Sequence, residues 1–475
     1  MKRILLYVFI ASIAIFTGCK KEYAVPAVTA PASETVEVSQ SVDLTFSFTA
    51  EGGYNSANVT ATGGTAVITT DATAGSENGS IVVTFTAGTT TGAGSVIITV
   101  MDNESQTMSA TAVLNIASVP TISVSYNIDE DTTWETGNIY ILEGRITVLD
   151  GATLTIQPGV IVKGREGTES NATALMIARG GKLQAVGTAT SPIIFTSVAD
   201  QIVPGEIASP NLEPTVNGLW GGVLVLGKAH ISADAESMQI EGIPPSDLNG
   251  LYGGNLDDDN SGTLKYLSIR HGGANIGEGN EINGLTLGGV GSGTVIENIE
   301  IVSNQDDGVE WFGGTVNVKN VVVWNTGDDA VDTDQSWAGT LDNFIVVNPG
   351  DECFELDGPE GTMVAKHTIK NGTVYAGNAQ GLVDLDPNSN VDMDKIYFFG
   401  LKAGQDFDEL PVDYVCTFTN FEATLPTGSA LTDFFKDGSD AFVTSVGAGA
   451  NTVGATVSDF EGWSWAEVSG SLDDF

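Results

Sequence analysis

Hydrophobic and polar positions along the chain fall into two textures that meet near residue 119. Over residues 25–118 apolar and polar residues alternate, in Val36–Thr49, Ser56–Thr62, Ala66–Thr70, Ser80–Ala87, Ser95–Met101 and Thr107–Ile116, with Gly-rich or Asn/Asp-rich turns between them. Period-two runs of this length read as half-buried strands, and their close spacing predicts one small β-sandwich. Past Pro120 the runs shorten. Leu142–Gly164 is a string of very short β-runs broken by glycine, and Ala174–Ala178, Gly181–Gly187 and Pro192–Ser197 repeat that texture. Runs so short cannot make long hairpins; they predict a coil whose turns stack strand on strand.

An internal repeat supports the coil. The segments Ile296-Glu-Asn-Ile, Val318-Lys-Asn-Val, Leu341-Asp-Asn-Phe and Ile369-Lys-Asn-Gly align Asn298, Asn320, Asn343 and Asn371, which are 22, 23 and 28 residues apart. Lys395 takes the asparagine slot 24 residues further on. About 22 residues make one coil of a right-handed parallel β-helix, where stacked amides bond one another at the strand spacing of about 4.8 Å. The expectation is an all-β chain: a right-handed parallel β-helix over 119–403, preceded by a small Ig-like sandwich over 25–118. Residues 404–475 are expected to cap the open lower end, where an unpaired coil would invite edge-to-edge association.

Counting on from the ladder asparagine gives three acidic columns. Eight residues later stand Asp306, Asp328 and Asp351; nine later, Asp307, Asp329 and Glu352; twelve later, Glu310, Asp332 and Glu355. Like charges stacked at about 4.8 Å raise one another's pKa, so some must be protonated, solvated apart or bridged by cations. Hard oxygen donors without thiols or imidazoles suit Ca²⁺ rather than zinc, and Asp306, Asp328 and Asp351 are the candidate ligands. The loop Asp257-Asp-Asp-Asn-Ser-Gly262 resembles the start of a D-x-D-x-S-G calcium loop, which would use Asp257, Asp259 and Ser261; Ser268 stands where an EF-hand places its last acid. Trp311, Phe312, Trp324 and Trp337 lie among the acid columns, and aromatic faces beside carboxylates hold sugars by stacking and hydrogen bonding. With Glu310 and Asp332, these tryptophans form a candidate ligand face. Alternation puts Val322 and Trp324 on one side and Val321 and Val323 on the other, and leaves open which side is interior.

Charge then narrows the partners. The chain carries 61 acids against 18 bases, a net −43, although only 17% of its 475 residues are charged. Such a surface repels phosphate backbones, which excludes nucleic acid. The acidity suits solubility in salt or the gathering of divalent cations. Residues 1–18 read as a signal peptide, with Lys2-Arg3, an uncharged run from Ile4 to Phe16 and Thr17-Gly18 before Cys19. Gly18-Cys19 resembles the bacterial lipobox, which implies acylation of Cys19, a tether over 19–24 and membrane attachment through lipid. Lys20-Lys-Glu22 resembles the signal that sends Bacteroidota lipoproteins to the outer face of the outer membrane. Cys353 shares a counted column with Gly308, Ala330 and Gly381, the place of a small core residue; a disulfide with Cys416 is the alternative.

Two further resemblances bear on function. Asn ladder, period and glycine turns together resemble the pectin-lyase-like β-helix superfamily. Asp307-Gly-Val-Glu310 and Gly327-Asp-Asp-Ala-Val331 look like the Asn-Thr-Asp-Gly and Gly-Asp-Asp motifs of polygalacturonases, which would make Asp307, Asp328 and Asp329 a catalytic set. The family's Gly-His-Gly is replaced by Pro349-Gly-Asp-Glu352, and its Arg-Ile-Lys segment has no counterpart. Arg270-His271 is the sole basic pair a lyase could draw on, with a structural place at a coil edge as the alternative. Gly218–Val223, Asn280–Thr294, Trp311–Asn320 and Phe460–Glu467 are similar to secreted β-helix lipoproteins of marine bacteria and Bacteroidota, which implies fold and address rather than chemistry.

The sequence thus leads to an outer-membrane, cell-surface lipoprotein that binds an extracellular ligand, glycan first, with Ca²⁺, through an acidic aromatic face. A polygalacturonase-like glycosidase is the alternative, and an adhesin or surface-layer component is a third. An outer-membrane import partner would accompany polysaccharide use.

Overall fold

The computed structural model describes residues 21–167, 171–274, 282–407 and 409–475. The signal segment, Cys19 and Lys20 therefore lie outside the described residues. Two compact units divide between Ser118 and Val119.

The first unit is a β-sandwich of two four-stranded sheets. One orders Ala27–Thr29, Ser41–Thr49, Asn78–Ala87 and Gly64–Thr70; the other orders Glu34–Glu37, Thr107–Ala117, Gly92–Asp102 and Tyr54–Thr62. Alternation sets the faces: in Ser41–Thr49, Leu44, Phe46 and Phe48 turn inward while their neighbours face water. Val96, Ile98 and Val100 do the same on the other sheet.

The second unit is a right-handed parallel β-helix. Eight short strands, from Arg145–Val148 to Asp384–Leu385, form one sheet. A longer sheet runs from Thr121–Val124 to Val443–Ser445. Its central strands, among them Val295–Val302, Val318–Trp324 and Thr340–Val347, each bend at one residue with positive φ: Asn298 (58°), Asn320 (57°), Asn343 (61°), Asn371 (57°) and Lys395 (59°). Asparagine tolerates this left-handed conformation better than other non-glycine residues, and here the amides stack. Asn320 Nδ2 donates to Asn298 Oδ1 at 2.8 Å, and Asn343 Nδ2 to Asn320 Oδ1 at 2.8 Å. The interior is mainly apolar, with Ile299, Val321, Phe344 and Ile396 at inward positions of one column. Gly372 completes that column because a Cβ there would lie 2.0 Å from the Phe344 ring.

The region expected to cap the lower end divides in two. Residues up to about 445 continue the coil and end it in a plug of Phe407, Phe418, Phe421, Phe435 and Phe442. Residues 447–475 turn back and run as a strap up the outside of the long sheet. Thr452 N bonds Glu422 at 2.6 Å, Ala455 N bonds Thr373 at 2.8 Å, Thr456 N bonds Asn343 at 2.6 Å and Ala466 N bonds Glu300 at 2.9 Å. Phe460, Trp463, Trp465 and Leu472 of the strap cover Val302, Val322, Trp324, Ile345 and Val347, outward residues that would otherwise face water. An apolar outer face needs such a cover, and the strap rather than a lower cap is what the tail supplies there.

Among the described residues no helix is long and apolar enough to cross a membrane. Cys353 and Cys416 are both free thiols, Cys353 buried. Gly381 stands one place away from the column expected for it, opposite Glu352, where a Cβ would lie 2.0 Å from that carboxylate.

Candidate functional site

The eight-stranded sheet holds the acid columns at the register that counting predicted. Glu310 pairs with Asp332, and Asp332 with Glu355. The series extends further than the count: Thr286 precedes it and Asp384 follows it. Inward neighbours Val309, Trp311, Val331 and Thr333 alternate with these outward acids. Above the acids the same outward column is apolar, at Met176 and Leu224, where Ile231, Ile240, Ile243 and Tyr252 of a long inserted loop cover it. The sheet face thus changes from greasy and covered to acidic.

The turn ahead of each strand contributes the second column. Asp307 Oδ1 accepts from Asp329 N at 3.0 Å, and Asp329 Oδ1 accepts from Glu352 N at 2.5 Å, so these carboxylates tie each coil to the next. Oxygens of Asp307, Glu310 and Asp332 lie within 4.8 Å of one another, and so do those of Asp306, Asp307 and Asp328. Asp307, Glu310 and Asp332 are buried. Two of the residues forming this pocket were not legible in the sequence. Buried Asn283 donates through Nδ2 to Glu310 and to Glu241, the latter at 3.1 Å, while its Oδ1 has no hydrogen-bond partner.

Burial and mutual repulsion set the protonation. Burial, then the charges of Asp332, Asp306 and Asp328, push the Asp307 carboxyl well above the ordinary range. Burial likewise raises Glu310 and Asp332, which hydrogen-bond one another, as two carboxyl groups can only when one holds a proton. Burial and a hydrogen bond to Glu355 push Asp329 up to about 11. Further along the face burial lifts Glu352 to about 8, and Asp334 and Asp357 to about 7. A site that raises so many carboxyl pKa values rewards any cation that replaces the protons.

Several expected site residues sit elsewhere. Trp311 and Trp337 are in the helix interior, fully buried, with rings stacked at 4.6 Å; they face away from the acids and cannot meet a ligand. Four-residue strands buried on both faces hide the alternation that would have shown this. Trp324 does point outward but is 5% exposed, on the long sheet, where Trp465 of the strap covers it at 5.7 Å. The three tryptophans are therefore absent from the acidic face; Phe312 does point outward there, opposite Asp334, but is buried against Tyr252 at 5.8 Å.

The Asp257 loop engages its carboxylates with its own coil. Asp257 Oδ1 accepts from His230 N at 3.1 Å and meets its ring Nδ1 at 2.8 Å, while Asp259 Oδ2 accepts from Lys228 N and Ser261 Oγ, each at 3.3 Å. These carboxylates staple the inserted loop to its coil, and neither belongs to the two groups of three converging acids among the described residues. Asp351 also stands outside both clusters of converging carboxylates, while Asp306 and Asp328 share one. Arg270 and His271 are fully buried beneath the strap, the guanidinium 4.9 Å from the Trp465 ring, far from a role as exposed base.

A family model described as a pectate-lyase like beta helix domain matches residues 126–424. No curated protein matches the chain. Among solved structures, the family 28 exopolygalacturonase of Yersinia enterocolitica aligns over 90% of each chain at 10% identity, with a TM-score of 0.17 that carries no argument about activity.

Proposed function

The chain belongs to the pectate-lyase-like β-helix family, and from that premise we propose that its acidic sheet face binds Ca²⁺ and, through the bound ion, an extracellular glycan. The observation that carries this reading is the convergence of Asp307, Glu310 and Asp332 within 4.8 Å, in a buried setting, beside the unpartnered Oδ1 of Asn283. Hard carboxylate oxygens plus one neutral amide oxygen are the donor set Ca²⁺ takes. Asp307, Glu310 and Asp332 would hold the ion, with Asp306 and Asp328 as the neighbouring group; bound there, it would supply coordination for sugar hydroxyls or carboxylates. The chain's own part is to fix these oxygens on the strands and on the turn ahead of them, and to keep solvent from the buried side. Since no tryptophan shares this face, specificity would rest on polar contacts rather than stacking.

Calorimetric titration of the chain with CaCl₂, followed by glycan-affinity gels with and without EDTA, tests the reading. No heat of binding, together with identical gel retention in EDTA, sinks it. A second reading, glycoside hydrolysis through Asp307, Asp328 and Asp329, is favoured by the approach of half-exposed Asp328 to buried Asp307 on the neighbouring coil. Its weakness is that Asp307 and Asp329 are already engaged with backbone N–H groups. Reducing-sugar release across a polysaccharide panel, abolished by Asp328→Asn, would establish it; a silent wild type removes it. Attachment through Cys19 at the cell surface accords with both readings and is tested by acyl labelling of a Cys19→Ala variant.

A further inference from the structure

On the long sheet, away from the acidic face, the outward position just before each ladder asparagine carries a second column. Its residues pair in unbroken register: Lys265 with Glu297, Glu297 with Lys319, Lys319 with Asp342, Asp342 with Lys370 and Lys370 with Asp394. Six coils therefore present the strict sequence plus, minus, plus, minus, plus, minus. Neutral residues end it, Val186 above Lys265 and Thr419 below Asp394. Five steps of about 4.8 Å make the ladder roughly 24 Å tall.

We propose that this column is a self-complementary interface through which two copies of the chain pair face to face with their helix axes antiparallel. The argument is charge complementarity under two-fold symmetry. A two-fold axis in the plane of contact, along the strands and midway between Lys319 and Asp342, reverses the column and lays it on itself. Lys265 then faces Asp394 of the second copy, Glu297 faces Lys370, and Lys319 faces Asp342. All facing pairs are of opposite sign, and the coil spacing is common to both copies, so the match holds along the full ladder. The Val186 of each copy meets the Thr419 of the other. An axis along the helix direction would instead place each charge against its own kind. Antiparallel pairing is thus selected over parallel, as an isologous contact requires.

The wider charge balance points to the same occupant. In a chain of net −43, this column sums to zero, so a second copy meets no net repulsion here. A polyanion or polycation gains nothing from a column that alternates in sign. Within the chain, Lys265 pairs with Glu297 at 2.8 Å and Lys370 with Asp342 at 3.5 Å, whereas Lys319, exposed beside the two-fold position, makes no ion pair among the described residues. A shallow cavity of about 500 Å³ beside Lys319, Asp342 and Lys370 leaves room for the opposing side chains.

Sedimentation equilibrium of the chain near physiological salt, up to about 0.5 mM because small polar interfaces are weak, tests the proposal. The wild type should show a monomer–dimer equilibrium. Lys319→Glu and Asp342→Lys should each weaken self-association by at least about tenfold, since each places like charges opposite across the axis twice. An equimolar mixture of these two variants should regain the dimer, because Glu at 319 of one copy then faces Lys at 342 of the other. A ladder that serves only to bind coil to coil within one chain predicts no such rescue. A monomeric wild type at every concentration, single variants that associate as the wild type does, or a mixture that stays monomeric overturns the proposal. The neutral pair Lys319→Gln and Asp342→Asn replaces any reversal that circular dichroism shows to be misfolded: each alone loses both central pairs, and the mixture should regain one of them, where the Asp342 of the first variant faces the Lys319 of the second.

Discussion

The backbone N–H of Ala466 donates to the carboxylate of Glu300 at 2.9 Å, joining residues 166 positions apart. Glu300 is itself fully buried against Arg270, whose guanidinium lies 3.6 Å from it and 4.9 Å from the Trp465 ring. The strap therefore closes over an ion pair that the long sheet alone would leave facing water. Glu300→Ala strands a buried guanidinium and should cost about 3–5 kcal/mol, the loss typical of breaking a buried pair. Glu300→Gln keeps an acceptor for Ala466 and should cost less than Glu300→Ala. Denaturant melts of the two variants give the order; equal losses would show that the charge, which both variants remove, and not the acceptor or the space that glutamine keeps, carries the stabilisation.

Trp311 tests the assignment of the aromatics to the core. Its ring stacks on Trp337, which in turn lies 5.2 Å from buried His367. Burial holds that imidazole at a pKa of about 3, neutral in the dry interior. Trp311→Ala should destabilise by about 3–5 kcal/mol through the cavity it leaves. Trp311→Phe should keep most of the stability, because the indole N–H it removes has no partner in the fold. Glycan retention should be unchanged in Trp311→Phe; its loss would return this residue to the ligand face.

How far the sequence carries depends on what each residue's position depends on. The β-helix and the acid register were legible because Asn298, Asn320 and Asn343 repeat at coil length, and the acids keep constant offsets from them. Side-chain direction was not, because Val309-Glu-Trp-Phe312 is buried on both faces and its polarity does not alternate. Asp384 escaped the count because one extra residue between the long sheet and the short one places it a position beyond the expected offset from Asn371, and Asn283 and Glu241 lie outside the columns that were counted. The strap could not be read at all: Trp465 and Trp324 meet through the fold, with nothing local to mark the pairing.

The Asn ladder gives a sharper backbone prediction. Asn320 holds φ at 57° and serves both as donor to Asn298 and as acceptor from Asn343. Asn320→Ala loses both bonds, strands the buried Asn298 Oδ1 while Asn343 Nδ2 keeps Asp459, and puts an alanine in left-handed geometry, for a cost of about 2–4 kcal/mol. Asn320→Gly loses the same bonds without that backbone strain, so it should be the more stable of the two by roughly 1 kcal/mol. Chemical denaturation of both variants checks the order. A glycine variant no better than the alanine one would mean that strain at this corner is negligible.

The last prediction joins pH to the acidic face. Burial raises Asp334 and Asp357 to about 7 and Glu352 to about 8 in the folded chain. Their unfolded values lie near 4. A folded pKa above the unfolded one gives stability that is complete below about pH 4 and drains away as pH rises through the folded value. Without added cation, the melting temperature should therefore fall between about pH 4 and pH 8. Ca²⁺ competes with protons for the same oxygens, so it should bind more tightly and raise the melting temperature more at pH 8 than at pH 5. Asp332→Asn separates repulsion from ligation. Removing one charge from the cluster of Asp307, Glu310 and Asp332 should raise the cation-free melting temperature at pH 8 and blunt the response to Ca²⁺. Scanning calorimetry across this range, with CaCl₂ or EDTA, measures both effects. A melting temperature that climbs from pH 4 to pH 8 in EDTA would contradict the buried-carboxyl account, and a full Ca²⁺ response in Asp332→Asn would move the ion elsewhere.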